Sequence, residues 1–458
     1  MPRISFPDGF DFGVATSAYQ IEGAWNLDGK GPSIWDTFSH TPGKVWRDIP
    51  GGDVAVDHYH RFRDDVALMK DLGLDSYRFS LSWSRIMPEG AGAVNQAGLD
   101  FYKRLIDELR TAGISPNVTL YHWDLPQALE DRGGWVNRDI AGWFGDYAAL
   151  AFDELGESVP RWSTLNEPIA IWVGYGMGVF APGHVDHKAG KQAMHNALLA
   201  HGTAVQAFRA SAASPGDIGV VLDIWQRHPA SDAAADLDIA QRDEDDSFRF
   251  FLEPLLTGAY GDRIVNRLEE RGLMPDVHEG DLDLIAQPLD FLGLNVYSRV
   301  VVSAENYNPQ WWVAGDSHPG GNFLDNGMEF YPKSVYDAIF MVRDDYGFDK
   351  PIYITENGVA DNHGDSVDGP IHDEERIRYI AGFLEWIARA IEDGADVRGY
   401  YLWSLMDNFE WAAGFSQRFG LVHVDTDTLE RTPKASASWY ARVIAQRGFE
   451  SRPTSVDE

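Results

Sequence analysis

Two glutamates in this chain stand where a carboxyl group could do chemistry. Glu167 lies in Thr164-Leu165-Asn166-Glu167-Pro168 and Glu356 in Ile354-Thr355-Glu356-Asn357-Gly358. Each follows an apolar run that reads as a buried β-strand, at or just past its end. In a barrel of parallel strands, the C-terminal strand ends converge on one face, and that face carries the active site. Two carboxyls delivered there from different strands suit glycoside cleavage, one as acid/base and one as nucleophile. Either motif alone reads as well as an exposed loop glutamate. Together, flanked by Asn and Pro or by Asn and Gly, they point to catalysis.

The two roles need opposite charge states. An acid that protonates the leaving oxygen must hold its proton in the free enzyme, and a second carboxylate nearby raises its pKa by repulsion. A nucleophile must stay ionised. Arg78, in Tyr77-Arg78-Phe79, could hold that charge through a bidentate pair; its plainer reading is an ion pair that closes the barrel. Further polar and aromatic groups end other apolar runs. Gln20 follows Ser17-Ala18-Tyr19, and His122 with Trp123 follows Thr119-Leu120-Tyr121. Asn166 precedes Glu167, and Asn295 and Tyr297 follow Leu292-Gly293-Leu294. Trp403 sits in Tyr400-Tyr401-Leu402-Trp403-Ser404, with Glu410-Trp411 just beyond. Polar groups at such places need partners; for any one a core hydrogen bond serves as well as a ligand. Their convergence at matching strand ends favours a sugar site.

The elements that must position these residues alternate along the whole chain. Strand-like runs fall at Asp11–Thr16, Ser76–Trp83, Ser115–Trp123, Arg161–Leu165, Ile218–Trp225, Phe291–Tyr297, Ile352–Thr355 and Gly399–Ser404. Helical stretches fill the gaps at about Asp53–Leu72, Ala97–Ala112, Arg138–Leu155, Lys191–Ala212, Asp245–Thr257, Ser334–Tyr346, Asp373–Asp393 and Pro433–Gln446. Eight strands each followed by helix is the α/β count of a single (β/α)8 barrel. A doubly wound open sheet is the runner-up, but neither GxGxxG after a strand nor GxxxxGK[ST] occurs. The reading is one catalytic barrel over 1–450 and a polar, frayed tail over Ser451–Glu458. Glu305–Met328, rich in Asn, Gly and Trp, is expected to overhang the strand ends as an extended loop.

Composition narrows the function further. The chain has 458 residues, no Cys, 44% hydrophobic and 13% aromatic residues, enough for a large core. Without Cys there are no disulfides, Fe–S clusters or thiolate metal sites. The net charge of −33, from 38 basic and 71 acidic residues, repels nucleic acid and anionic lipid and suits a neutral substrate. No apolar signal core or membrane-length run is found, so a soluble cytoplasmic protein is expected. His58 with His60, and His184 with His187, lack acidic partners at metal spacing, so neither a metal nor any other cofactor is expected. Asn117-Val118-Thr119 matches a glycosylation sequon but falls in a core strand. Asp243–Asp246 reads as a solvated helix start, favoured by the helix dipole.

Together these residues resemble family 1 glycoside hydrolases of the β-glucosidase and β-galactosidase type, over nearly the whole chain. The resemblance begins with Phe10-Asp11-Phe12-Gly13-Val14-Ala15-Thr16-Ser17-Ala18-Tyr19-Gln20-Ile21-Glu22-Gly23 and runs through both glutamate motifs to Trp403–Trp411 and Gly414–Gly420. It implies a TIM barrel with extended βα loops and a retaining reaction, with Glu167 as acid/base and Glu356 as nucleophile. It further implies that Gln20, His122, Asn166, Glu410 and Trp411 hold the glycone, with Trp123 beside them and Trp403 as a stacking floor. Tyr297 would touch the nucleophile and Asn295 lie near it. An intact Glu167 sets the chain apart from thioglucosidases of this type. Glu410, with Gln417 after Ser416, sets it apart from 6-phospho-sugar members. Glu410 is expected to be an ionised carboxylate that accepts from two hydroxyls of the terminal sugar. Met328 stands where many members carry a Trp platform for the leaving group, so it is the candidate for a looser aglycone site.

The expected function is a retaining exo-β-glycosidase. It would remove terminal β-D-glucosyl residues, and β-galactosyl or β-fucosyl residues, from small glycosides and cello-oligosaccharides. A transglycosidase on the same site and a catalytically silent sugar-binding protein are the alternatives; two intact glutamates oppose the last.

Overall fold

The computed structural model describes residues 3–48, 51–307, 318, 321–324, 326–362 and 371–451. Eight strands close into a barrel: β1 (Asp11–Ala15), β2 (Ser76–Ser80), β3 (Ser115–Tyr121), β4 (Arg161–Asn166), β5 (Asp217–Asp223), β6 (Phe291–Asn295), β7 (Ile352–Asn357) and β8 (Val397–Trp403). Every neighbouring pair is parallel, and β8 returns beside β1. The helices that follow in turn are α1 (His58–Asp71), α2 (Gln96–Ala112), α3 (Ile140–Leu155), α4 (His187–Ala210), α5 (Arg249–Thr257), α6 (Lys333–Tyr346), α7 (Glu374–Glu392) and α8 (Ala435–Gln446). The expected TIM barrel is therefore the fold.

Side chains alternate along each strand and sort into two layers. Phe12 and Val14, Tyr77 and Phe79, Val220 and Leu222, Leu292 and Leu294, Ile352 and Ile354, and Tyr400 and Leu402 join the core between strands and helices. The opposite rows face the barrel interior, where Ala15, Phe291, Tyr353, Tyr401 and Trp403 form their own cluster. Arg161, the first residue of β4, lies with its guanidinium 3.8 Å from the centre of the Tyr353 ring. It donates to Asp11, Tyr401 and Tyr353 at 3.1, 2.9 and 2.7 Å. The barrel is thus filled at the strand starts by Arg161, Asp11 and the tyrosines.

Two expected helices differ. The stretch expected as one helix over Asp53–Leu72 is a short helix at Gly51–Val54 and then α1, because Ala55 and Asp57 have φ of 48° and 58°. The stretch expected as Asp245–Thr257 divides at Ser247 (φ −108°, ψ −114°) into a helix Ala234–Asp246 and α5. Asp243–Asp246 therefore end a helix rather than start one, against its dipole. Cations from elsewhere compensate: Arg227 donates to Asp243 at 2.7 Å, Arg263 to Asp245 at 2.7 Å, and Arg267 to Asp245 and Asp246 at 3.1 Å each. Burial opposes ionisation of Asp246, but Lys191, Arg267 and Arg271 overcome it and hold that carboxyl below its ordinary value.

Three of the four histidines singled out in the sequence each meet one carboxylate: His58 meets Asp65 at 2.8 Å, His60 meets Asp57 at 2.5 Å and His184 meets Glu130 at 2.8 Å. Asn117 is buried in β3 as expected. Most of the expected overhang Glu305–Met328, and all of the expected tail after Ser451, lie outside the described residues. Among the described residues no helix is long and apolar enough to cross a membrane.

Candidate active site

The ends of β4 and β7 are bent so that each aims a glutamate inward. Strand β4 shifts register against β5 between Ser163 and Asn166, and β7 shifts against β6 between Ile354 and Glu356. Such irregularities re-aim side chains next to active sites. Glu167 follows with φ of 45°, and its N–H donates to the Val221 carbonyl of β5 at 2.9 Å. Pro168 then leads into the helix Ile169–Tyr175. Past Glu356, Asn357 donates to the Val296 carbonyl at 2.6 Å and accepts from Tyr400 at 2.8 Å, which ties the end of β7 to both neighbours. A Cβ on Gly358 would lie 1.8 Å from the Trp403 carbonyl oxygen, so only glycine permits this approach. Trp123 and Trp411 share positive φ with Glu167, at 79° and 48°. For bulky residues that conformation costs on the order of 1–3 kcal/mol each, a cost concentrated at ligand sites.

Hydrogen bonds then fix the polar groups in one arrangement. Arg78 of β2 donates to Glu356 Oε1 at 2.6 Å and to Asn166 Oδ1 at 2.6 Å. Tyr297 donates to Glu356 Oε2 at 2.8 Å. Thr355 donates to Asn295 Oδ1 at 2.7 Å, so the Asn295 amide nitrogen faces Glu167 Oε1 at 2.5 Å and Asn166 Oδ1 at 3.1 Å. With its oxygen so occupied, Asn166 offers its own amide nitrogen to His122 Nε2 at 3.1 Å. His122 Nε2 is then the acceptor, and the proton sits on Nδ1, which is buried without a partner. An orphaned donor of this kind marks a place for a ligand acceptor.

Aromatic rings and a second acid wall the other side. Trp411 lies 4.6 Å from Trp123 and stacks on Tyr19 at 6.0 Å and 7°. His122 lies parallel to Trp403 at 5.8 Å and 23°. Trp123 donates to the Asn166 carbonyl at 3.0 Å. Gln20 accepts from Ser17 at 2.6 Å and donates to the Phe409 carbonyl at 2.8 Å and to Glu410 at 3.3 Å. Met328 stands apart from this web: it is half-buried at the edge of the outer core, and its carbonyl accepts from Leu324 at 2.8 Å.

The electrostatics separate the two glutamates. Burial pushes Glu167 well above the usual carboxyl range, the charges of Asp223 and then Glu356 add to this, and Asn295 and Arg78 oppose it. Burial also raises Glu356, but Arg78, Tyr297 and Asn295 resist. The pair titrates as a unit, and the member bonded to Arg78 is the one that ionises first. His122 is pushed well below its ordinary value by burial and then by Arg78, so its ring is neutral. Glu410 departs from expectation. Although the residue keeps some exposed surface, desolvation of its carboxyl and the Glu356 charge push it up to about 8. That shift works against the ionised acceptor expected there, while hydrogen bonds from Gln20 and Trp403 oppose it.

The structure thus gathers Arg78, Asn166, Glu167, Asn295, Tyr297 and Glu356 into one bonded web, with Gln20, His122, Trp123, Trp403, Glu410 and Trp411 around it. Sequence reasoning passed over Asp223 and the hydroxyl of Thr355. Asp223 was findable by the rule that found the others, since it ends β5 between the strands that carry Glu167 and Asn295.

Known proteins share this arrangement of chain. The family model described as Glycosyl hydrolase family 1 matches residues 3–449. Beta-glucosidase A of Acetivibrio thermocellus is 46% identical over 457 residues, 98% of this chain and 100% of that protein. The solved family 1 β-glucosidase of Thermotoga maritima is 42% identical with a TM-score of 0.92, covering 98% of this chain and 100% of that one. A complex of the Thermotoga maritima β-glucosidase with galacto-hydroximolactam is 43% identical at a TM-score of 0.90, over 98% and 100% of the two chains. With two carboxyls of opposite environment at the barrel mouth and the family's sequence along nearly its whole length, this chain belongs to glycosyl hydrolase family 1.

Proposed function

We propose that the enzyme is a retaining exo-β-glucosidase acting by double displacement. One observation carries the reading: Glu356 is bonded to a guanidinium and a phenol, whereas Glu167 is bonded to a neutral amide and crowded by other carboxyls. In the first step Glu356 Oε attacks the anomeric carbon, the glycosidic C–O bond breaks, and Glu167 gives its proton to the leaving oxygen. The glycosyl ester removes the Glu356 charge, so the Glu167 pKa falls. Glu167 then takes a proton from water as the water attacks the same carbon, releasing Glu356. The β-configuration is retained through two inversions.

Substrate choice follows from the walls. The neutral His122 can donate from Nδ1 and the Glu410 carboxyl can bond sugar hydroxyls, while Trp403 and Trp411 offer ring faces to sugar C–H groups. Gln20, buried and bonded to the Glu410 segment, closes the inner end, which suits a terminal sugar. A net charge of −33 opposes a 6-phosphate. A C4 epimer alters one hydroxyl contact and costs about 1–3 kcal/mol. The galacto-hydroximolactam bound by the Thermotoga maritima neighbour supports acceptance of β-galactosides. β-Fucosides and short cello-oligosaccharides fall in the same range, and Met328 is assigned to the leaving-group side. The test is kcat/KM for p-nitrophenyl β-glucoside, β-galactoside, β-fucoside and 6-phospho-β-glucoside. The first three are expected to turn over with glucoside foremost; preference for the phosphorylated substrate overturns the reading.

A further inference from the structure

Asp223 is the last residue of β5, and the reaction described so far does not use it. Val220, Leu222 and Ile224 join the outer core, so the two-residue alternation turns Asp223 inward. The strand register sets it opposite Asn295 of β6. On the other side, Glu167 donates its backbone N–H to Val221, two residues before Asp223. Asp223 therefore ends the strand that lies between those carrying Glu167 and Asn295. It accepts a hydrogen bond from the Trp225 indole, while its Oδ1 is buried without a hydrogen-bond partner. Trp225 in turn stacks on Tyr297 at 6.1 Å and 14°, and Tyr297 donates to Glu356.

We propose that Asp223 is a positioning residue for the reaction: a third carboxylate whose charge keeps the proton on Glu167 through the acid step and so sets the alkaline limit of turnover. This rests on reading Glu167 as the acid. The groups facing the pair come from every neighbouring strand: Arg78 on β2, His122 beyond β3, Tyr297 beyond β6, Glu356 on β7, Glu410 beyond β8 and Arg227 beyond Asp223 itself. His122 is neutral, and burial keeps Tyr297 a phenol. Arg78, bonded to Glu356, also lowers Glu167, and Arg227, bonded to Asp243, also lowers Asp223. At Glu167 the like charges outweigh Arg78. Of the two carboxylates acting on Glu167, Asp223 contributes more than Glu356. Burial, with Glu356 adding and Arg227 opposing, pushes Asp223 itself up to about 7. Once ionised, its charge opposes loss of the Glu167 proton. Removing its charge lets Glu167 ionise at lower pH.

The experiment compares the pH dependence of kcat/KM for p-nitrophenyl β-glucoside in wild type, Asp223→Asn, Asp223→Ser and Asp223→Glu. The alkaline limb is expected to move to lower pH by roughly half a unit or more in the Asn and Ser variants and to recover in the Glu variant. Titration of 13C-labelled Glu167 in wild type and Asp223→Asn reports the same shift without turnover. A superimposed limb and an unmoved Glu167 titration overturn the proposal. Glu167→Ala, rescued with a dinitrophenyl glucoside, separates the two readings. If its alkaline limb persists, the acid assignment of Glu167 falls and the role of Asp223 with it. A limb that vanishes there but stays fixed in Asp223→Asn removes Asp223 alone.

Discussion

Arg78 assigns the roles of the two glutamates. Its 2.6 Å bond to Glu356 lets that carboxyl ionise in a buried place, and it leaves Glu167 with an amide only. Glu356→Ala should therefore lose nearly all turnover. Azide should rescue it by entering the vacated space and giving α-glucosyl azide. Glu167→Ala should lose about 10²- to 10⁴-fold on alkyl glucosides, the range of a general acid, and far less on dinitrophenyl glucosides, whose leaving group needs no proton. Equal losses on both substrates reject the acid role. At this scale most of the bonded web was legible, because Gln20, His122, Asn166, Asn295, Tyr297 and Glu410 all break apolar runs at strand ends. Their charge states were not. The raised pKa of Glu410 arises from desolvation and from Glu356, and the His122 tautomer from a relay through Arg78 and Asn295, all contacts between residues distant in sequence.

Strand ends do the positioning, and they hold one another. Thr355 of β7 orients Asn295 of β6, which bonds Glu167 beyond β4. Thr355→Val keeps the shape and removes the hydroxyl, leaving Asn295 Oδ1 unpaired. A loss of about 1–1.5 kcal/mol at this contact corresponds to roughly tenfold in kcat, with KM little changed. A variant with lower Tm but unchanged kcat makes the hydroxyl structural only. All eight barrel strands were legible as apolar runs with turn signals, within two or three residues at each end. Their terminal irregularities were not, since register shifts and the positive φ of Trp123, Glu167 and Trp411 are set by neighbouring strands. The false helix start at Asp243–Asp246 has the same cause. Acidic residues usually open helices, and the arginines that let these close one come from other elements.

Across the whole molecule, the cost of burying acids appears as a dependence of stability on pH. Asp124, just past β3, is pushed up to about 8, chiefly by burial, with Glu22 adding and Lys30 opposing. The unfolded carboxyl titrates near 3.8. Between those values the unfolded chain releases a proton that the folded chain keeps. The contribution is full below the lower value and is lost as pH rises to the upper one. Thermal unfolding should show a lower Tm at pH 8 than at pH 5, and Asp124→Asn should lessen that fall. Parallel curves for the two proteins contradict this. The barrel itself was readable because strand and helix patterns alternate eight times and no phosphate loop supports an open sheet. What lay beyond the sequence was the division of labour inside the barrel, with Arg161, Asp11 and the tyrosines filling the strand starts and Glu167 and Glu356 at the other end.

The central claim, that a covalent glycosyl ester forms on Glu356, has one direct test. The enzyme is incubated with a 2-deoxy-2-fluoro-β-glucoside carrying a dinitrophenyl leaving group, digested, and mapped by mass spectrometry. The account predicts one fluoroglucosyl unit per chain, on the peptide containing Glu356, formed with a stoichiometric burst of dinitrophenol. A burst without label, or label on any other carboxyl, contradicts it.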